Sequence, residues 1–171
     1  MPADEVADIL DEIEDEKAEM LLKEMDSESS QEVRELLEYP DNSAGGLMTT
    51  DVLSFRPEVT VDYIIKELRS RKPEPSELYT LFVTEENDKL VGTFDLRDLV
   101  VADPETTVST IMRSDPVFLL DDQRIDDIAE TISKYNLLAV PVVDQENLLQ
   151  GMVVVDDVIE DLINKRRTNK R

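Results

Sequence analysis

From residue 47 onward the sequence runs through one order of patterns and then repeats it. The first pass reads "DVLSF", then "TVDYIIKELRS" with Val61, Ile64, Ile65 and Leu68 on one helical face, then "LYTLFVT", "EEND" and "KLVGTFDLRDLVV". The second reads "PVFLL", "RIDDIAETISKY" with Ile125, Ile128, Ala129 and Ile132 in the matching places, "LLAVPVV", "DQEN" and "LLQGMVVVDDVIEDLI". Each pass predicts a short strand, a helix, a hairpin with a polar four-residue turn, and a closing helix whose first turn holds Asp98 or Asp157. One unit of about 60 residues, with a parallel or mixed sheet and helices on one side, is marginal alone. The two passes are therefore expected to pack as a pair, in the α/β (α+β) fold class. Met48 and Met112 are 64 residues apart, as are Ile64 and Ile128, whereas Gly92 and Gly151 are 59 apart. The difference is the longer loop "RKPEPSE" of the first pass, read as a tolerated insertion.

Ahead of the repeats the pattern is helical and strongly acidic. Residues 1 to 41 carry 16 acidic and 3 basic side chains, a net −13, against −10 for the other 130. Val6, Ile9, Leu10 and Ile13 recur at helical spacing, Ala18, Leu21, Leu22 and Met25 do so again, and Val33, Leu36 and Leu37 form a third stripe. Asp26 or Ser27 can cap the third helix, and Ser29 with Glu32 has the form of a capping box. Helices of about three turns do not hold together in isolation, so these are expected to rest on further helices or on a neighbouring domain. The expected organisation is a short all-α segment over 1–40, a linker over 41–46, repeats over 47–106 and 107–164, and a basic end over 165–171. In the junction "YPDNSAGGLMTTDV" the glycine pair permits positive φ and close backbone approach. A plain hinge fits the same residues.

Composition removes several kinds of chemistry. There is no cysteine and no histidine, which excludes disulfides, zinc sites of the usual kind and Ser-His or Cys-His catalysis. No nucleophile-base pair or phosphate loop can be assembled, so an enzyme is not expected. With 41 acidic against 18 basic residues the formal charge is −23, which repels nucleic acid and attracts cations. Solubility or adaptation to high salt would account for the same excess. No apolar run reaches the length of about 20 residues needed to span a bilayer. The acidic N-terminus is unlike a secretory signal, and a cytosolic, soluble chain is expected.

The repeated order with G-x-x-x-x-x-D in each half, at Gly92 to Asp98 and Gly151 to Asp157, resembles tandem CBS domains. "AGGLMT" at the junction and "VADP" between the repeats narrow the resemblance to the intracellular part of MgtE-type magnesium transporters and channels. It implies that the first 40 residues are the last helices of an N domain. It further implies a homodimer through the CBS pairs on the cytoplasmic side of the cell membrane, and a plug helix leading to a transmembrane pore absent from this chain. Magnesium is the implied ligand. The match to Gly45 would offer its carbonyl opposite Asp8 across one ion, and the matches to Asp4 and Asp157 would share another, with Glu160 in the same metal set. Asn136 falls where the family has an aspartate near the pore, and "NKRRTNKR" replaces a commonly acidic plug end.

Magnesium needs oxygen ligands and keeps several waters, so one or two carboxylates per ion suffice. Two carboxylates about 4 Å apart repel by roughly 4 kcal/mol at an effective dielectric of about 20, and a divalent ion between them reverses the sign. The expected device is an acidic N segment and an acidic CBS edge that separate without the ion and close with it. Plainer readings stand beside it. Asp98 and Asp157 suit the helix macrodipole without any ligand, Asp4 and Asp8 share a face that water alone could cover, and Asp121, Asp122, Asp126 and Asp127 open a helix as caps do. A rival is adenine-nucleotide sensing in the cleft between repeats, with Asp98 and Asp157 on the ribose. The residues three after each glycine, Asp95 and Val154, offer phosphate nothing favourable. A scaffold without ligand is the third reading.

Overall fold

The computed structural model describes residues 1–168. Helices α1 (Ala3–Asp11), α2 (Asp15–Glu24) and α3 (Ser27–Leu37) form the acidic front. Asp26 caps α3, accepting the Ser29 N–H at 3.0 Å, while Glu32 instead accepts the Thr50 hydroxyl at 2.7 Å. The cap is thus Asp26 alone, and the apparent box residue ties the helices to the repeats. Of the three apolar stripes Leu10, Leu22, Val33 and Leu36 are buried, but Ile9 and Leu21 stay 49% and 47% exposed. Short helices packed on one side bury a narrow stripe, and these residues lie at its margin. Burial of Leu10, Leu22 and Leu36 contributes roughly 2 kcal/mol each, and their cluster runs on without a break into Ala44, Met48, Leu119, Ile125 and Ile128. The neighbour that supports the helices is the second repeat.

The expected linker contains a helical turn, α4 (Ala44–Leu47), capped by the Ser43 hydroxyl on the Gly46 N–H at 3.1 Å. Gly45 is buried and has no positive φ. Its glycine is required by contact instead: a Cβ there would lie 2.3 Å from the Tyr39 ring. The junction is packed against the second repeat, with the Ala44 and Gly45 N–H groups donating to Gln123 and Asp121.

In the first repeat β1 (Ser54–Phe55) lies parallel to β2 (Leu81–Thr84), which pairs antiparallel with β3 (Leu90–Phe94); α5 (Val61–Arg71) makes the crossover and α6 (Leu96–Val101) closes the unit. After α7 (Val108–Ile111) the second repeat does the same with β4 (Leu119–Leu120), α8 (Ile125–Tyr135), β5 (Ala139–Val143), β6 (Leu149–Val154) and α9 (Val155–Thr168). The apolar spacing is what places these helices, since Val61, Ile64, Ile125, Ile128 and Ile132 are all buried. Lys165, Arg166 and Arg167 sit in the last turn of α9, where positive charge suits the helix dipole. Residues 169–171 of the basic end lie outside the described residues.

Each repeat's lead-in packs on the other repeat. Thr49, just after α4, exchanges two hydrogen bonds of 2.9 Å with Met152 of β6, and Arg113, just after α7, exchanges bonds of 2.8 and 3.1 Å with Thr93 of β3. Ser43 likewise bridges Arg124, and Thr107 bridges Thr60. This crossing explains the glycine of each G-x-x-x-x-x-D signature. A Cβ on Gly151 would lie 2.4 Å from the Thr49 carbonyl oxygen, and one on Gly92 would lie 2.6 Å from Met112 Sδ. Phe82, Leu90, Ala139, Val143, Met152 and Val154 form a further core that draws on both sheets.

A carboxylate-lined candidate site

Helix α1 places Asp4 and Asp8 one turn apart, on the flank of the stripe that buries Ala7 and Leu10. At the far end of the chain the turn from β6 into α9 places Asp156 and Asp157 in a first helical turn, with Glu160 and Asp161 following. Between these walls is a cleft of about 1060 Å³. Among the described residues its lining includes 13 carboxylates and no lysine or arginine. Asp4, Asp8, Asp157 and Glu160, brought forward from the sequence, all face it. Next to it a cavity of about 30 Å³, room for about one water or ion, is lined by Asp4, Asp8, Asp11, Asp41, Gly45 and Gly46 among others. Gly45 and Asp8 thus border one small space.

The electrostatics are those of crowded carboxylates, of which Asp161 is paired with Lys165 at 2.8 Å. Burial pushes the Asp4 carboxyl above the ordinary carboxylate range, helped by the charges of Asp51, Asp8 and Glu5 and opposed by its own backbone N–H. Asp8 is pushed up by burial and then by Asp41, Asp11, Glu12 and Glu5. Asp157, on the outer side of α9, is raised by the desolvating cleft wall first and then by Asp156, Glu160 and Asp8. The last cause runs between the two walls. Asp4 Oδ1 is buried with no hydrogen-bond partner, and a buried charged oxygen left so is costly. Among the described residues no three carboxylates converge into a ready-made metal cage. An ion that keeps most of its water needs none, and the donor set, all hard oxygen, suits magnesium.

Two residues from the sequence stand apart. Asn136 ends α8 with φ of 51°, as Lys72 ends α5 with φ of 49°, and it lines a different cleft. Its side chain suits the left-handed cap, and it does not join Asp4 or Asp157. Asp98 accepts the Asp95 N–H at 2.8 Å and pairs with Arg113 at 3.5 Å. Asp98 thus closes a capping box with Asp95 at the start of α6, whereas its counterpart Asp157 faces the acidic cleft. Asp121, read as a cap, instead accepts the Tyr39 hydroxyl at 3.1 Å.

Sequence reasoning missed part of the lining. Glu74 and Glu77 of the loop taken as an insertion face the cleft, held in a turn where the Glu74 N–H donates to Glu77 at 2.7 Å. Tyr79 donates to Asp156 at 3.3 Å. The absence of a matching loop in the second repeat was the available signal.

Family comparisons agree with this organisation. The model of the MgtE intracellular N domain matches residues 1–42, and that of the CBS domain matches residues 44–105 and 108–164. A magnesium transporter MgtE of Thermus thermophilus is 36% identical over 93% of this chain, and the chain spans 36% of that relative. The cytosolic domain of the Mg2+ channel MgtE in complex with ATP superposes with a TM-score of 0.88 at 34% identity, over 94% of this chain and 66% of that one. The soluble part of a magnesium transporter gives 0.91 at 32% identity, over 96% and 64%. Among the described residues no helix is long and apolar enough to cross a membrane. The chain belongs to the CBS-domain family, as a tandem pair preceded by a segment that matches the MgtE intracellular N domain.

Proposed function

We propose that this chain is the cytosolic, magnesium-responsive regulatory module of an MgtE-type magnesium transporter. The observation that carries the reading is the cleft between α1 and α9, lined among the described residues by 13 carboxylates and no lysine or arginine, with an orphaned Asp4 oxygen. Bound there, a hydrated divalent cation supplies the positive charge that these walls lack. Asp4 and Asp8 hold one wall, Asp157 and Glu160 the other, and Gly45 borders the small cavity at the Asp8 end. Without a cation the walls repel and the N helices spend more time undocked; with one they close. A transmembrane pore and a second copy of the chain are the partners of this reading. Small-angle scattering tests it: millimolar magnesium chloride should compact the chain beyond sodium chloride of matched ionic strength. Replacing Asp4, Asp8 and Asp157 together by asparagine should abolish the difference, and equal scattering in the two salts would refute the reading.

A specific observation favours a second ligand. The cleft of about 670 Å³ between the repeats contains Arg97, Arg113 and Tyr135, groups that suit phosphate and a base. The similar cytosolic domain solved with ATP points the same way. Asp95 pairs with Arg113 at 2.7 Å, so it competes with phosphate for that cation. Calorimetry with ATP in EDTA decides: heat lost on Arg113→Ala supports nucleotide binding, and no heat with the unaltered chain removes it.

A further inference from the structure

The acidic walls meet the cation only if the N helices sit at the right angle on the second repeat, and one side chain lies at that joint. Tyr39 follows α3 directly. Its ring packs against Gly45, close enough that a Cβ on the glycine would lie 2.3 to 2.6 Å from three ring atoms. Its hydroxyl donates to Asp121 at 3.1 Å, across 82 residues of sequence. The surrounding backbone closes the same seam: the Ala44 N–H donates to Gln123, the Gly45 N–H to Asp121, and the Ile125 N–H to Asn42, at 2.7 to 2.9 Å. Tyr39 also lines both the small cavity shared by Asp4, Asp8 and Gly45 and a separate cleft beside Glu32 and Asp88. Asp121 faces neither of the cavities that hold Asp4 and Asp8.

Resting on the proposed magnesium response, we infer that Tyr39 is a positioning residue, a latch whose bond to Asp121 fixes α1 against α4 and so sets the spacing of the two carboxylate walls. Its phenol is pushed up to about 12 by burial and by Asp121, so it remains a donor throughout the physiological range. A bond made only when the helices are docked adds its free energy to closure and nothing to the stability of the repeats.

The test uses the 171-residue chain and reads two quantities, the magnesium midpoint of compaction by scattering and the melting temperature in EDTA. Tyr39→Phe keeps the ring and loses the donor, and should raise the midpoint about fivefold, as loss of one hydrogen bond of ordinary strength does. Asp121→Ala should match it, the double variant should add nothing further, and Asp121→Asn, which still accepts, should restore most of the response. The EDTA melting temperature should not change. A midpoint within about twofold of the parent in Tyr39→Phe overturns the latch and leaves the magnesium response intact. Equal losses of EDTA stability and midpoint also overturn it, as a structural bond present in every state. A parent chain that ignores magnesium overturns the latch together with the function it rests on.

Discussion

Gly45→Ala tests the packing of the joint with a magnitude that follows from distances. The new Cβ would lie 2.3, 2.4 and 2.6 Å from Tyr39 Cδ1, Cγ and Cε1, each well inside the 3.4 Å at which ordinary contact begins. The ring cannot slide freely, because Leu36 and Leu37 belong to the same apolar cluster and its hydroxyl is held by Asp121 at 3.1 Å. Overpacking of this kind costs about 2 kcal/mol. A ring displaced by about 1 Å also loses the hydroxyl bond, for about 1 kcal/mol more. A domain of this size loses about 2 to 4 °C per kcal/mol, so the melting temperature should fall by about 6 to 12 °C. Gly92→Ala is the control. Its Cβ meets chiefly Met112 Sδ at 2.6 Å, the far end of a flexible side chain, and about 1 kcal/mol is expected. Circular dichroism melts in millimolar magnesium chloride, where the helices are docked, measure both. Equal shifts for the two variants, or no shift for Gly45→Ala, would refute the argument that a rigid ring defines this joint.

Other outcomes follow from the same geometry. In EDTA, the Asp4, Asp8 and Asp157 triple asparagine variant should melt higher than the parent, because uncompensated charge is removed, and millimolar magnesium should narrow or reverse the gap. The folded-state carboxyls of these residues lie above their unfolded values, so the folded chain binds more protons between the two. Metal-free stability should accordingly rise as pH falls from neutral through the raised folded values toward 3.8, and the triple variant should flatten that rise in pH-resolved melts. Ile128 is fully buried in the second repeat, and Ile128→Ala should cost about 3 kcal/mol in urea unfolding. Lys72 occupies left-handed backbone at the end of α5, and Lys72→Gly should stabilise by up to about 1 kcal/mol. Val100 and Val101 are 79% and 67% exposed; if a second copy covers them, Val100→Lys with Val101→Lys should convert a sedimenting dimer to monomer.

What the sequence made legible was local and periodic. The 3.6-residue spacing of Val61, Ile64, Ile125, Ile128 and Ile132 located the repeat helices, and the i, i+4 pair Asp4 and Asp8 placed two carboxylates on one face. The family resemblance joined them to Asp157. Three things escaped for physical reasons. Tyr39 and Asp121 meet across 82 residues, a separation on which periodicity is silent. Glu74 and Glu77 lie in a loop whose turn is set by prolines and a side-chain bond, with no apolar pattern to orient it. Asn136 stands, by family resemblance, where a metal-binding aspartate is expected, and the left-handed backbone it occupies, with φ of 51°, is a feature that apolar periodicity does not reveal.

The exchange of lead-ins has a consequence for how the chain can be cut. A break between residues 106 and 107 leaves each fragment carrying a buried plug that belongs to the other: Ala44 and Met48 go with the first piece, Val108 and Met112 with the second. Neither fragment can complete its own sheet edge, since Thr49 and Met152 part company, as do Arg113 and Thr93. Expressed separately the pieces should be poorly ordered, and mixed they should find each other and reassemble. The two repeats are thus not separable units, because each keeps part of its sibling's interior.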